Sequence, residues 1–247
     1  MSELKKRGLM FSKTSEDYIK DGLVLYLDGG EPFMVVDING ASTRIWKDRA
    51  VPAQKVHIGG VTQSSGVTFW DGASSCGRIP QDEYIALLNI LSGLKERTIE
   101  IVCKINDTEN AQTLVLGNGT SSESNFAAGL WYRPASGGFM ASTSAQQMPS
   151  LVDTVNERAS YSVVYGDNDI NDYELFKNGI LCPKGTVGGN MNNPNYITVG
   201  SRYYNGGYSY RLNGEICCIR VYERKLSEEE RLRNLETDIR RYNLGVS

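Results

Sequence analysis

At 247 residues and 40% apolar composition, the chain is long enough to bury a large core, and one all-β domain of this size is the expectation. A net charge of -3 with no basic stripe along the sequence argues against a nucleic-acid footprint, and no nucleic-acid partner is expected. No stretch approaches the roughly 18 apolar residues of a membrane span, so no membrane insertion is expected.

Residues 1–20 mix charge with few core formers and read as an N-terminal arm, leaving 21–247 as the domain. The positive charges near the start have no apolar run behind them, so no secretory signal is expected. Gly22 to Leu27 is a compact apolar run closed by Asp28-Gly29-Gly30, a buried strand and then a turn. Between Ala41 and Gly66 the apolar signal thins to Ile45-Trp46 among Pro52, Gly59 and Gly60, which predicts loop with brief strands. His57, the sole histidine, sits here as a surface loop residue with no nucleophile motif around it. Val67 to Trp70 is the next strand, and Ile85, Leu87, Leu88 and Leu91 predict a short helix over Tyr84 to Leu94.

From Thr98 to Ile105, Ile99, Ile101 and Cys103 make one face and Glu100, Val102 and Lys104 the other, with Glu100 read as a solvated residue. Short strands follow at Leu114 to Leu116, Ala127 to Tyr132, Gly138 to Ser142, Tyr161 to Tyr165, Tyr173 to Lys177 and Ile197 to Gly200. So many short strands between Gly, Asn, Asp and Ser predict a sandwich or barrel. Asn178-Gly179 and Asn213-Gly214 each read as hairpin turns needing positive φ.

Glu215 to Tyr222 predicts a strand, and Ser227 opens a helix in which Ser227 and Glu230 form a capping box. Glu228, Glu229 and Glu230 crowd its positive end, and Arg240 and Arg241 its negative end. Leu232, Leu235, Ile239 and Tyr242 recur at helical spacing, so one face must lie against a large apolar surface. Cys76, Cys103, Cys182, Cys217 and Cys218 lack the C-x-x-C spacing of a zinc site and read as free thiols; on one strand, Cys217 and Cys218 would point to opposite faces.

Leu175-Phe-Lys-Asn-Gly179, Ile197-Thr-Val-Gly-Ser-Arg202, and Leu212 to Ile216 leading into Ile219 to Glu230 resemble the C-terminal half of the laminin-G-like, concanavalin A-like jelly-roll family. Gly22 to Gly29, Trp46 to Asp48, Phe69 to Gly72 and Arg97 to Glu100 fall where that family places its first strands, so the resemblance spans residues 22 to 242. It implies an all-β, concanavalin A-like jelly-roll β-sandwich of two antiparallel sheets, here with a short C-terminal α-helix. Many members use the concave sheet and loops for glycans or other ligands, sometimes through calcium. The fold itself implies no activity.

Members without a signal peptide and with a short N-terminal lead-in resemble bacteriophage tail, fibre or capsid-associated proteins. The expectation that follows is a non-catalytic virion protein, made in the host cytoplasm, contacting other virion proteins or its own copies as a homo-oligomer, and touching host-surface glycan. The alternatives are a bacterial carbohydrate-binding module, at the cell surface or secreted, and a glycoside hydrolase.

The densest aromatic patch holds Tyr203, Tyr204, Tyr208 and Tyr210, whose rings can stack on sugars while Arg202, Asn205 and Arg211 hydrogen-bond hydroxyls. Trp131, Tyr132 and Arg133 at a strand end make a second candidate. No cofactor is required; calcium is the one candidate ion, because Asp167, Asp169, Asn171 and Asp172 pack oxygen donors densely. That stretch also reads as an Asx-rich hairpin turn. For catalysis, Glu96 and Glu100 lie too far apart along a strand, roughly 13 Å. Asp172 and Glu174 could share a face, but read more simply as the wet edge of a hairpin.

Overall fold

Two strands set the centre of the molecule: β8 (Arg97–Ile105) and β18 (Asn213–Tyr222), numbered in chain order and paired antiparallel along nearly their whole length. The computed structural model describes residues 18–30, 34–38, 41–51, 55–59, 61–64, 67–71, 76–79, 90–91, 96–106, 109–110, 112–118, 126–133, 138–142, 156–166, 172–183, 196–204 and 207–245. Outward from β8 the first sheet continues through β12 (Ala159–Tyr165), β13 (Tyr173–Lys177) and β14 (Ile180–Leu181). Beyond β18 it continues through β6 (Val67–Asp71) and β5 (Val61–Ser64), while β1 (Leu23–Asp28) pairs with the second half of β18.

The second sheet runs β11 (Gly138–Ser142), β10 (Phe126–Arg133), β9 (Gln112–Asn118), β15 (Tyr196–Val199), β7 (Cys76–Arg78), β4 (Lys55–Gly59), β3 (Ala41–Lys47), β2 (Met34–Ile38). A small hairpin, β16 (Arg202–Tyr204) with β17 (Gly207–Ser209), forms a separate two-stranded sheet. The fold is an all-β sandwich of antiparallel sheets with a C-terminal helix, as the spacing of short strands and turns predicts. The stretch expected as loop between Ala41 and Gly66 is richer than its weak apolar signal: it supplies β3, β4 and β5. His57 accordingly lies within β4, half-buried, and not in a loop.

Between the sheets, Ile99, Ile101 and Cys103 of β8 join Ile216, Ile219 and Val221 of β18 and meet Trp46, Val56, Leu130 and Ile197 from the other side. Each such fully buried aliphatic side chain contributes roughly 2 kcal/mol of burial free energy. A second apolar cluster lies outside the first sheet, under helix α1 (Glu228–Tyr242), and takes Val102, Tyr26, Leu235 and Tyr242. β8 therefore has two buried faces, and Glu100, read from the sequence as solvated, is only 3% exposed because α1 covers it. The helix begins as its residues dictate: the Ser227 hydroxyl accepts from the Glu230 N–H, and Glu230 reaches back to the Ser227 N–H.

Asn178 (φ 48°) and Gly179 (φ 80°) form the left-handed turn expected between β13 and β14. Asn213-Gly214 is not a turn: both residues lie in β18, and a Cβ at position 214 would collide with the Lys104 carbonyl of the adjacent strand. The glycine there serves close approach of two backbones. Cys217 and Cys218 do not point to opposite faces either. A bulge between Ile216 and Cys218 inserts one extra residue opposite β8, and both thiols enter the cluster beneath α1. Cys103, Cys182, Cys217 and Cys218 are buried thiols outside any disulfide. Of the expected arm, Tyr18 to Lys20 are described, and Tyr18 is buried against α1 at 1% exposure. Of the helix expected over Tyr84 to Leu94, Ile90 and Leu91 are described, both helical; the rest lies outside the described residues.

Candidate functional site

The β16–β17 hairpin packs beside β9 and β15, and its exit is pinned by backbone bonds: the Thr113 N–H donates to the Tyr210 carbonyl at 2.8 Å and the Leu212 N–H to the Gly200 carbonyl at 2.8 Å. Tyr210 itself takes φ 49°, a left-handed conformation that an aromatic residue rarely adopts. Such local strain persists only where the surroundings hold it, and it recurs at binding sites. The result is a tyrosine side chain 39% exposed.

Two partners flank that ring. The Arg202 guanidinium carbon lies 5.5 Å from the Tyr210 ring centroid, and the Trp131 ring meets it edge-on at 6.4 Å. Arg202 and Trp131 are 5% and 7% exposed, so Tyr210 is the outermost member of a fixed stack. Trp131 belongs to β10, where its neighbours Leu130 and Tyr132 turn into the core. The two aromatic candidates of the sequence are thus joined through Trp131 and Tyr210, while Tyr132 serves the core. No local pattern could join residues so distant in the chain; only the pairing of β9 with β10 and the seat of the hairpin do. Tyr208, opposite Tyr203 in the hairpin, and Arg211 are half-buried. Asn205 and the side chains of Tyr203, Tyr204 and Arg133 lie outside the described residues.

Of the calcium candidates, Asp167, Asp169 and Asn171 lie outside the described residues. Asp172 is half-exposed and accepts from Lys225 Nζ at 3.0 Å. Among the described residues no group of three or more histidine, cysteine or acidic side chains is placed to hold a metal ion. Glu174 is exposed on β13, two residues beyond Asp172, which precedes the strand.

The carboxylates that do come together lie beneath α1. Arg220 of β18 donates to both oxygens of Asp238 at 2.8 and 2.7 Å and to Glu100 at 2.9 Å, with all three side chains buried. Asn234 donates to Glu100 and to the Tyr222 hydroxyl, Ser160 donates to Asp238, and Tyr18 donates to Asp238 at 2.8 Å with its ring 4.1 Å from the Arg220 guanidinium. Burial pushes the Glu100 carboxyl up; Asp238 and Glu100 outweigh burial to hold Arg220 charged well above its usual range. A second network sits alongside: Arg241 and Arg49 donate to Asp28, as do the Tyr26 and Tyr242 hydroxyls. Burial pushes Asp28 up, but Arg241 and the Gly30 N–H outweigh it and the carboxyl stays below its ordinary value.

Both networks fasten the helix and the Tyr18 segment to the first sheet. Arg220 lies between Glu100 and Asp238 beneath the helix, and all three side chains are buried, at 3% exposure or less. The sequence signal that could have found them was the arginine and glutamate on neighbouring, otherwise apolar central strands.

No family model matches the chain, and no curated protein matches it in sequence. In structure it is similar to Trypanosoma rangeli sialidase in complex with sialic acid, with a TM-score of 0.64 at 12% identity over 90% of this chain and 33% of that one. It is also similar to a botulinum neurotoxin serotype D binding domain, with a TM-score of 0.58 at 14% identity over 90% of this chain and 53% of that one. The receptor binding domain of the botulinum neurotoxin C/D mosaic serotype gives a TM-score of 0.58 at 13% identity. The chain spans about a third of the sialidase and half of the toxin fragments, and at these identities the likeness is one of β-sandwich fold.

Proposed function

We propose that this protein is a non-catalytic attachment module that binds glycan through the Arg202, Tyr210 and Trp131 stack. The observation that carries the reading is the exposed, strained Tyr210, braced by a tryptophan edge and a guanidinium. A ring held in this way loses little freedom when a sugar stacks on it, and the nearby arginines supply hydrogen-bond donors. Likeness in fold to toxin fragments described as binding domains agrees with a binding role. The laminin-G-like resemblance supplies the setting: a bacteriophage virion component that touches a host surface. A freestanding carbohydrate-binding module would use the same stack.

The test is a glycan array with the full chain, followed by titration of each hit against the wild type and Tyr210→Ala. The variant is expected to bind at least tenfold more weakly, about 1.4 kcal/mol, with an unchanged melting curve. An array without hits, or equal affinity in the variant, would overturn the reading.

A further inference from the structure

We infer that the glycan is acidic, recognised by a cationic outer face of the second sheet with the Tyr210 stack at one end. This rests on the glycan-binding reading above and adds the charge class of the ligand. The chain as a whole carries slightly more acidic than basic residues, 29 to 26. Their placement is uneven. The first sheet with α1 holds ten carboxylates and eight cations. Strands of the second sheet and its hairpin hold six cations, Arg44, Lys47, Lys55, Arg78, Arg133 and Arg202, against the single carboxylate of Asp37. Arg211 follows directly after the hairpin.

The register places part of this charge on one surface. Gly77 faces inward, against Val56, Trp70 and Val199, so its neighbour Arg78 faces outward and is exposed. Lys47 is exposed beside the inward Trp46, and half-buried His57 is paired with Arg78 across β4 and β7. Arg78 pairs with Thr198, and Thr198 with Leu116. Leu116 is three residues along β9 from Thr113, which pins Tyr210. Arg78 therefore stands roughly 10 Å along the strands and roughly 10 Å across them from the aromatic stack. Thr198 and Thr113 on that route are fully buried, so a ligand meets the protein at the two exposed ends, Tyr210 and Arg78; the span suits an oligosaccharide carrying carboxylate or sulfate, stacked at Tyr210 and paired to the guanidinium of Arg78. Among the described side chains of this sheet and hairpin none is a carboxylate.

Paired probes test the charge class: a sialylated lactose against lactose, and a sulfated uronate oligosaccharide against its neutral counterpart, titrated into the full chain at about 50 and 200 mM salt. The acidic member of a pair is expected to bind at least tenfold tighter, and to lose that margin at the higher salt. Arg78→Ala should weaken the acidic member several-fold and leave the neutral one unchanged, with a melting curve matching the wild type. Equal binding of acidic and neutral members would overturn the charge inference while leaving the glycan reading intact. Absence of binding to every probe would overturn both. A DNA duplex bound as tightly as the acidic glycan would also overturn it, because the face would then be a general polyanion surface.

Discussion

Asp48 is buried at 2% exposure, where one carboxylate oxygen accepts from the N–H groups of Tyr26 and Ala50 at 2.8 Å each and the Val51 N–H also acts on the carboxylate. Burial raises its pKa from 3.8 to about 6, against the pull of those N–H groups. A folded-state pKa above the unfolded one means that protonation stabilises the fold. The contribution is complete below the unfolded pKa and is lost as pH rises through the folded one. A shift of this size is worth on the order of 3 kcal/mol. Asp48→Asn keeps an oxygen for the two N–H groups and removes the charge. In urea melts from pH 4 to pH 7 the wild type is expected to lose stability relative to the variant across that window. A difference independent of pH would show that Asp48 does not carry it.

Among the elements, the terminal helix was the most legible in the sequence, because cap, charges and apolar stripe are all local and all agree. Ser227→Ala is expected to cost about 1 kcal/mol in chemical denaturation, the ordinary value of an N-cap. Glu230, drawn down to about 2 by its bond with Arg224, loses its contribution as pH falls from its ordinary range through that value. The same local logic succeeded at Asn178-Gly179 and failed at Asn213-Gly214. Asparagine-glycine marks both a left-handed turn and a place where a neighbouring backbone passes close, and which one applies depends on Lys104 more than a hundred residues away. The bulge at Cys217 was invisible for a related reason: strict alternation is the default of a strand, and an inserted residue is defined by its partner strand. Glu100 looked solvated because the helix that buries it arrives from the far end of the chain. The stack of Trp131 on Tyr210 was half legible, as two separate aromatic patches.

At the scale of the whole molecule, the two sheets carry different outer faces. The first is sealed by α1, with the Tyr18 segment closing the seal; the second bears the aromatic stack and the cations. Tyr18 is as firmly placed as any core residue, its hydroxyl on Asp238 and its ring against Arg220 and Tyr26. The Ile19 N–H also donates to Asn234. A chain beginning at Asp21 should lose about 3–5 kcal/mol in a denaturant melt, the usual cost of removing a buried aromatic, whereas one beginning at Tyr18 keeps the Tyr18 and Ile19 contacts. The second truncation therefore suits a test of assembly. If residues before Tyr18 join copies or anchor the protein to a particle, light scattering will give a defined oligomer for the full chain and a monomer for the chain beginning at Tyr18. A monomer in both cases would count against self-assembly through those residues.

The bulge in β18 also gives the protein a built-in clock. Cys217 and Cys218 sit together under α1, and burial raises the Cys217 thiol to about 12 and lifts Cys218 well above its usual range. A thiol so placed does not alkylate while covered, since the reacting species is the thiolate. The rate at which an alkylating reagent consumes these two sulfurs should therefore count how often the helix lifts. Run with and without an oligosaccharide on the opposite sheet, that count reports whether occupancy of one face is felt at the other. An unchanged rate would mean that the two faces work independently; a slowed one would make the sandwich between them a messenger.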